Sequence, residues 1–240
     1  MAYPFKETRL IQLQSEAVSY TLVRRKRRTI GFKVDNSGLT VSAPPREPYN
    51  YLEQLIQERA LWIVTKLKEM EAQRLPPRTW QNGERLLLLG DDLELNIYRS
   101  HRRAEPIRSV GKIWVGVPDT RDAETIQTRV GQWYRRQAAQ HFQTRLAWYA
   151  PRLGVATPHL KLSNAKTTWG MCLSSGVIRL SWRLIKAPQA QIDYVVAHEI
   201  AHLKHMNHSR AFWDTVERLY PDYQRQREEL ERDGARYHTF

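Results

Sequence analysis

The chain has 240 residues, with 38 Lys and Arg against 25 Asp and Glu for a net charge of +13, and 41% hydrophobic residues. That length fills one large domain or two small ones, and a single cysteine, Cys172, excludes an intrachain disulfide and any multi-thiolate metal site, which fits a reducing compartment. No stretch approaches the ~18 apolar residues of a membrane span and the opening MAYPFKETRLIQLQ lacks a signal-peptide core, so the expectation is a cytoplasmic protein with no membrane partner.

Alternation of apolar and polar residues predicts strands over Tyr20 to Val34 and Leu39 to Ala43, with Asp35-Asn36-Ser37-Gly38 as a turn between two of them. Pro48 to Arg74 carries Tyr51, Leu52, Leu55, Ile56, Trp62, Ile63 and Leu67 at helical spacing, and Pro76-Pro77 reads as a linker. From Trp80 to Val117 the pattern returns to short strands, with turns at Asn82-Gly83 and Gly90-Asp91-Asp92 and a polar loop from Ser100 to Arg108. Asp122 to Leu153 reads as one amphipathic helix whose apolar face holds Ile126, Val130, Trp133, Tyr134, Phe142, Leu146 and Tyr149. Leu160 to Ser163 and Val177 to Trp182 form a strand pair, and a last helix runs from Ser209 to about Gly234. The pattern is α+β, organised as a strand-helix region over 1–75, a second small sheet over 76–120 and a core over 121–240, with no internal sequence repeat. Trp133, Trp148 and Trp213 sit at helical spacing and read as core.

Between the strand pair and the last helix stands His198-Glu199-Ile200-Ala201-His202. Ile192, Val195, Val196, Ile200 and Leu203 share one helical stripe, which places the two histidines on a surface or cleft wall and not in the core. Histidines four apart project from one face about 6 Å apart along the axis, within reach of one metal ion, and a glutamate between them is placed to take a proton from water. A third ligand is needed. On an unbroken helix His208 points away, but Asn207 and Ser209 are residues that end and restart helices, and a chain turning there returns His208 to the pair. His205 is the rival on the same helix face, about 10 Å along the axis from His198, and Asp214 or Glu217 is a further alternative.

The segments HEIAHLKHMNHSRAFW from His198 and WGMCLSSGVIRLSWRLIKAP from Trp169 resemble the YgjP-like zinc metallopeptidase family, related to SprT-like and minigluzincin proteases. The strand YTLVRRKRRTIGFKV, the Ala-Pro-Pro turn at 43 to 45 and the Trp62-Ile63 helix extend the resemblance over most of the chain. It implies a zincin-like core with an active-site H-E-x-x-H helix, Zn2+ held by His198, His202 and His208, Glu199 as catalytic base, and a peptide or protein substrate. Where the family reads Arg-Trp-Gly-Ser-Cys-Ser, this chain reads Thr168-Trp169-Gly170-Met171-Cys172-Leu173, a hairpin edge made more apolar and less attractive to anions, with Ser174-Ser175-Gly176 as its turn. Cys172 reads as a small buried hydrophobe and not as a nucleophile.

Two other functions share these residues: hydrolysis of a nucleotide or phosphate ester at the same site, and a basic nucleic-acid-associated module with structural zinc. Arg24-Arg25-Lys26-Arg27-Arg28 concentrates five cations in one expected strand, but alternate residues face opposite sides and no recognisable reading motif accompanies them, so the run reads as solvated surface or as weak nonspecific nucleic-acid contact. For stabilising a reacting oxyanion, Lys166, Arg210 and Tyr220 are the candidates by residue type.

Overall fold

Alternation and turn residues assemble three small sheets, and helical periodicity supplies six α-helices, counted among residues 5–35, 37–72, 78–102, 104–238 and 240 of a computed structural model. The expected turn residue Asn36, the helix end at Arg74 and the linker Pro76-Pro77 lie outside the described residues, as do the first four residues and position 103 of the polar loop. The architecture is mixed α+β, and the chain divides into two compact units, residues 1–76 and 77–240.

In the first unit β1 (Phe5–Leu13), β2 (Glu16–Arg24), β3 (Gly31–Asp35) and β4 (Gly38–Ala43) lie in the order β1-β2-β4-β3. The central β2–β4 pair is parallel and the flanking pairs are antiparallel. Leu13, Tyr20, Leu22, Leu39 and Val41 on the sheet share a core with Leu52, Ile56 and Ile63. Strand β1 is absent from the sequence expectation, because its inward stripe begins with charge: Glu7 and Arg9 pair at 3.2 Å ahead of the apolar Ile11 and Leu13. The expected strand from Tyr20 to Val34 is two strands, and residues 25–30 form the connection between them. The basic run therefore does not occupy one strand. Only Arg24 does, and its guanidinium donates to the carbonyls of Pro44, Pro45 and Glu47 at 3.3, 3.1 and 2.8 Å. The expected single helix is α1 (Tyr49–Glu58) and α2 (Ala60–Ala72), interrupted at Arg59, whose φ of −106° and ψ of 12° leave the helical region.

The second unit opens with β5 (Arg85–Leu88), β6 (Asp91–Arg99), β7 (Ile107–Ser109) and β8 (Lys112–Val117) in the order β5-β6-β8-β7, again with a parallel centre and antiparallel flanks. The two sheets thus share one topology without a repeated sequence. Helix α3 (Ala123–Leu153) begins where Asp122 accepts the Thr125 N–H at 3.0 Å and ends at Gly154, whose φ of 74° needs a residue without Cβ. Its stripe from Ile126 to Leu153 joins the core of the unit, with Trp133 at 3% exposure. Trp148, expected in the core, is 50% exposed, and Arg145 and Arg152 stand over its ring.

Three further strands, β9 (Leu160–Ser163), β10 (Gly170–Cys172) and β11 (Ile178–Ser181), form a sheet in the order β10-β11-β9. A 3-10 turn at Trp182–Lys186 leads to α4 (Gln189–Ala201), followed by α5 (Arg210–Leu219) and α6 (Tyr223–Tyr237). The expected single final helix is broken between α5 and α6, where Pro221 has no amide hydrogen to continue the ladder. Helix α4 packs on α3 through the shared core and a forked ion pair, Arg145 to Asp193 at 2.5 and 3.0 Å. Its start is fixed from the β5–β6 turn, where Leu89 and Gly90 donate to the Ile185 and Lys186 carbonyls and a Cβ on Gly90 would come within 3.1 Å of Pro188.

Candidate metal centre

The last turn of α4 carries His198 and Glu199, and His202 caps it. Beyond His202 the α-helical ladder gives way: Leu203 and Lys204 bond three residues back, to the Ile200 and Ala201 carbonyls, and the chain turns before α5 starts at Arg210. That turn returns His208 to the pair. Its Nε2 stands 3.2 Å from Nε2 of His198, and one nitrogen from each of His198, His202 and His208 falls within a 4.8 Å set. His205, Asp214 and Glu217, the alternatives raised by spacing, lie outside this cluster. His205 contributes through its backbone, because its carbonyl lies 3.0 Å from Nδ1 of His202. A hydrogen bond there puts the proton on Nδ1 and leaves the His202 Nε2 lone pair free.

Phe212 and Trp213 hold the three rings in place. Phe212, fully buried, has its ring centroid 4.9, 4.5 and 4.8 Å from those of His198, His202 and His208, while Trp213 stacks on His208 at 5.7 Å and on Tyr223 at 5.4 Å. Burial, and then the neighbouring His202 and His208, push His198 down to about 3, and burial lowers His202 as well. These imidazoles are neutral at physiological pH and offer lone pairs. The donor set suits a divalent cation: tetrahedral Zn–N bonds of about 2.0–2.1 Å put neighbouring nitrogens about 3.3 Å apart, and His198 and His208 stand at 3.2 Å.

Glu199 is 5% exposed, and burial pushes its carboxyl up to about 8, with the facing Cys172 backbone N–H acting in the opposite sense. One of its oxygens lies so close to β10 that a Cβ on Gly170 would stand 2.3 Å away. Gly170 is thus a site residue that motif spacing did not mark. Its clue in the sequence is the Trp169-Gly170 pair itself, whose meaning appears only when the hairpin is laid on α4. Burial and then the Glu199 charge raise the partly buried Cys172 thiol, which disfavours its thiolate.

A cavity of about 270 Å³ opens beside His198 and Glu199, walled by β10, α4 and α6. Lys166, Arg210 and Tyr220, the oxyanion candidates by residue type, are absent from its lining, whereas Tyr194 and Arg227 are present. The α6 end braces the far wall: His238 stacks on Trp169 at 4.1 Å and 9°, and Gly234 lets that ring approach.

A carboxyl group beside three imidazoles, in a cleft edged by a strand with one open side, is an arrangement able to hold a divalent cation and hydrolyse a substrate laid along the strand. No curated protein matches the chain. A solved structure, the metallopeptidase zymogen of Pyrococcus abyssi abylysin, is similar at 22% identity and a TM-score of 0.32, covering 42% of this chain and 93% of that one. The family described as YgjP-like, metallopeptidase domain, matches residues 28–233, and the chain belongs to it, which makes the protein a metallopeptidase acting on peptide or protein substrates.

Proposed function

We propose that the protein is a zinc peptidase in which His198, His202 and His208 hold the ion and Glu199 is the general base. In this reading residues 121–240 form the zincin-like core and α4 is its active-site helix. The ion supplies Lewis acidity, lowering the pKa of water and polarising a carbonyl. Glu199 accepts the proton of the attacking water at a carboxylate oxygen and returns it to the departing amine. The place of Glu199 in the same cleft as His198 supports the role, because a base must stand within reach of the water it deprotonates.

Strand β10 orients the peptide. The Ser181 N–H donates to the Trp169 carbonyl and the Leu173 N–H to the Val177 carbonyl, so odd-numbered residues face β11. By alternation Gly170 and Cys172 direct their backbone groups to the open side. There Cys172 N–H meets Glu199, and the groups of Gly170 remain for an extended peptide.

The 3.2 Å approach of His198 and His208 nitrogens, with Glu199 lining the same cleft, is the observation that carries this reading. Glu199→Gln tests it. Peptide hydrolysis is expected to fall about 10²–10⁴-fold with zinc content unchanged, since an amide cannot take the proton. Near wild-type turnover would remove Glu199 as the base. Hydrolysis of nucleotides or phosphate esters, with none of peptides, would transfer the site to the phosphate-ester reading.

A further inference from the structure

Beyond α6 the chain meets a cluster of aromatic rings distinct from the histidine cluster. Trp80 ahead of β5, Tyr134 of α3 and Trp182 of the 3-10 turn come together around the ring of Phe240, at centroid distances of 4.8, 5.7 and 5.6 Å. Lys186, 2% exposed, sets its Nζ 4.3 Å from the centroid of the same ring. The backbone is held as well, because Arg183 Nε donates to the Phe240 carbonyl at 3.0 Å while its Nη1 donates to Asn164 Oδ1 at 2.8 Å. That oxygen also accepts the Trp182 Nε1–H at 2.9 Å. Phe240 is thus anchored by side chain and backbone together.

The anchor bears on the site through His238. Two residues of extended chain span at most about 7 Å, so a fixed Phe240 limits how far His238 can move. His238 stacks on Trp169 at 4.1 Å and 9°, and the same indole meets Tyr237 edge-on at 6.2 Å and packs over Gly234. Trp169 immediately precedes Gly170, whose missing side chain leaves space for the Glu199 carboxyl, and two residues further on the Cys172 N–H meets that carboxyl. The contacts run without a gap from Phe240 to Glu199.

We propose that Phe240 and His238 form a strap that positions the Glu199 carboxyl: Phe240 is its anchor, and His238 and Trp169 are positioning residues that hold β10 against α4. The role of Glu199 in this proposal rests on the peptidase reading above, whereas the placement of β10 does not. Cys172, the single cysteine of the chain, reports that placement. Burial and then the Glu199 charge raise its thiol, and a strand that lifts from α4 relieves both.

The test compares the wild type with Phe240→Ala, His238→Ala and His238→Phe as full zinc-loaded chains. It reads kcat on a blocked peptide that the wild type cleaves, zinc content, and the rate at which iodoacetamide alkylates Cys172. Both Ala variants are expected to keep their zinc and to lose kcat about 10- to 100-fold, because a misplacement of about 1 Å at the reacting groups costs about 10²-fold. Alkylation should quicken about 5-fold or more in both, as access and thiolate fraction rise together. His238→Phe restores a ring to the stack and should stay within about 2-fold of the wild type on both measures. Unchanged alkylation in the Ala variants overturns the strap, as does faster alkylation with kcat intact, or a His238→Phe variant as impaired as His238→Ala. Should Phe240→Ala fail to fold, His238→Ala at its half-buried position decides by the same outcomes. If the wild type cleaves no peptide, the peptidase reading falls, and alkylation with its rescue in His238→Phe decides alone whether the strap holds β10.

Discussion

Gly170 shows how little room the Glu199 carboxyl group has. Any side chain at this position must displace Glu199 or the strand, because the Cβ site lies 2.3 Å from one carboxylate oxygen and 2.6 Å from the carboxyl carbon. Gly170→Ala is accordingly expected to lower kcat by at least 10-fold with zinc retained, and to cost about 1–3 kcal/mol of stability as an overpacking change. Steady-state kinetics and denaturant unfolding check both, and unchanged kcat would mean that Glu199 does not work from this position. His198, Glu199 and His202 were legible in the sequence because helical spacing alone aligns them, and His208 because Asn207 and Ser209 mark a break. Gly170, Phe212 and Tyr194 were not, since their roles exist only through contacts between elements that spacing along one helix does not encode.

Helices and strands with strong local signals appear where the pattern puts them. Asp122 and Gly154 bracket α3 at both ends, and Asn82-Gly83 and Gly90 punctuate the second sheet. The breaks at Arg59 and Pro221 were passed over, the first because no Gly or Pro marks it and the second because the apolar stripe continues across the proline. At this scale α6 is coupled to the site through the His238–Trp169 stack. Burial first, and then Arg183, Lys186 and Lys166, push His238 down to about 4. Between pH 6.5 and 4 the unfolded chain binds a proton that the folded one refuses, so stability is lost as the pH falls through that window and is unaffected above it. Melting of the metal-free protein against pH is expected to show a shallower acid decline in His238→Phe, which keeps an aromatic ring and does not titrate. Equal slopes in the two proteins would separate His238 from the acid sensitivity.

Among the described residues the buried hydrophobic side chains fall into two clusters, one in each compact unit. Leu22→Ala in the first is expected to cost about 2–5 kcal/mol there, lowering one calorimetric transition of the full chain while leaving the other in place. A common shift of all the unfolding would show the units to be one cooperative body. Charge is distributed differently from the sequence expectation, since Arg24 braces the turn before α1 and residues 25–30 form a connection.

The central claim, that three histidines hold one ion for peptide hydrolysis, is tested most directly by stripping the protein with a chelator and measuring peptide turnover as zinc is returned. Turnover should be lost on stripping, rise linearly with added zinc and break sharply at one equivalent per chain, in keeping with a single cluster of His198, His202 and His208. Turnover that survives stripping, or that returns without regard to zinc stoichiometry, would contradict it.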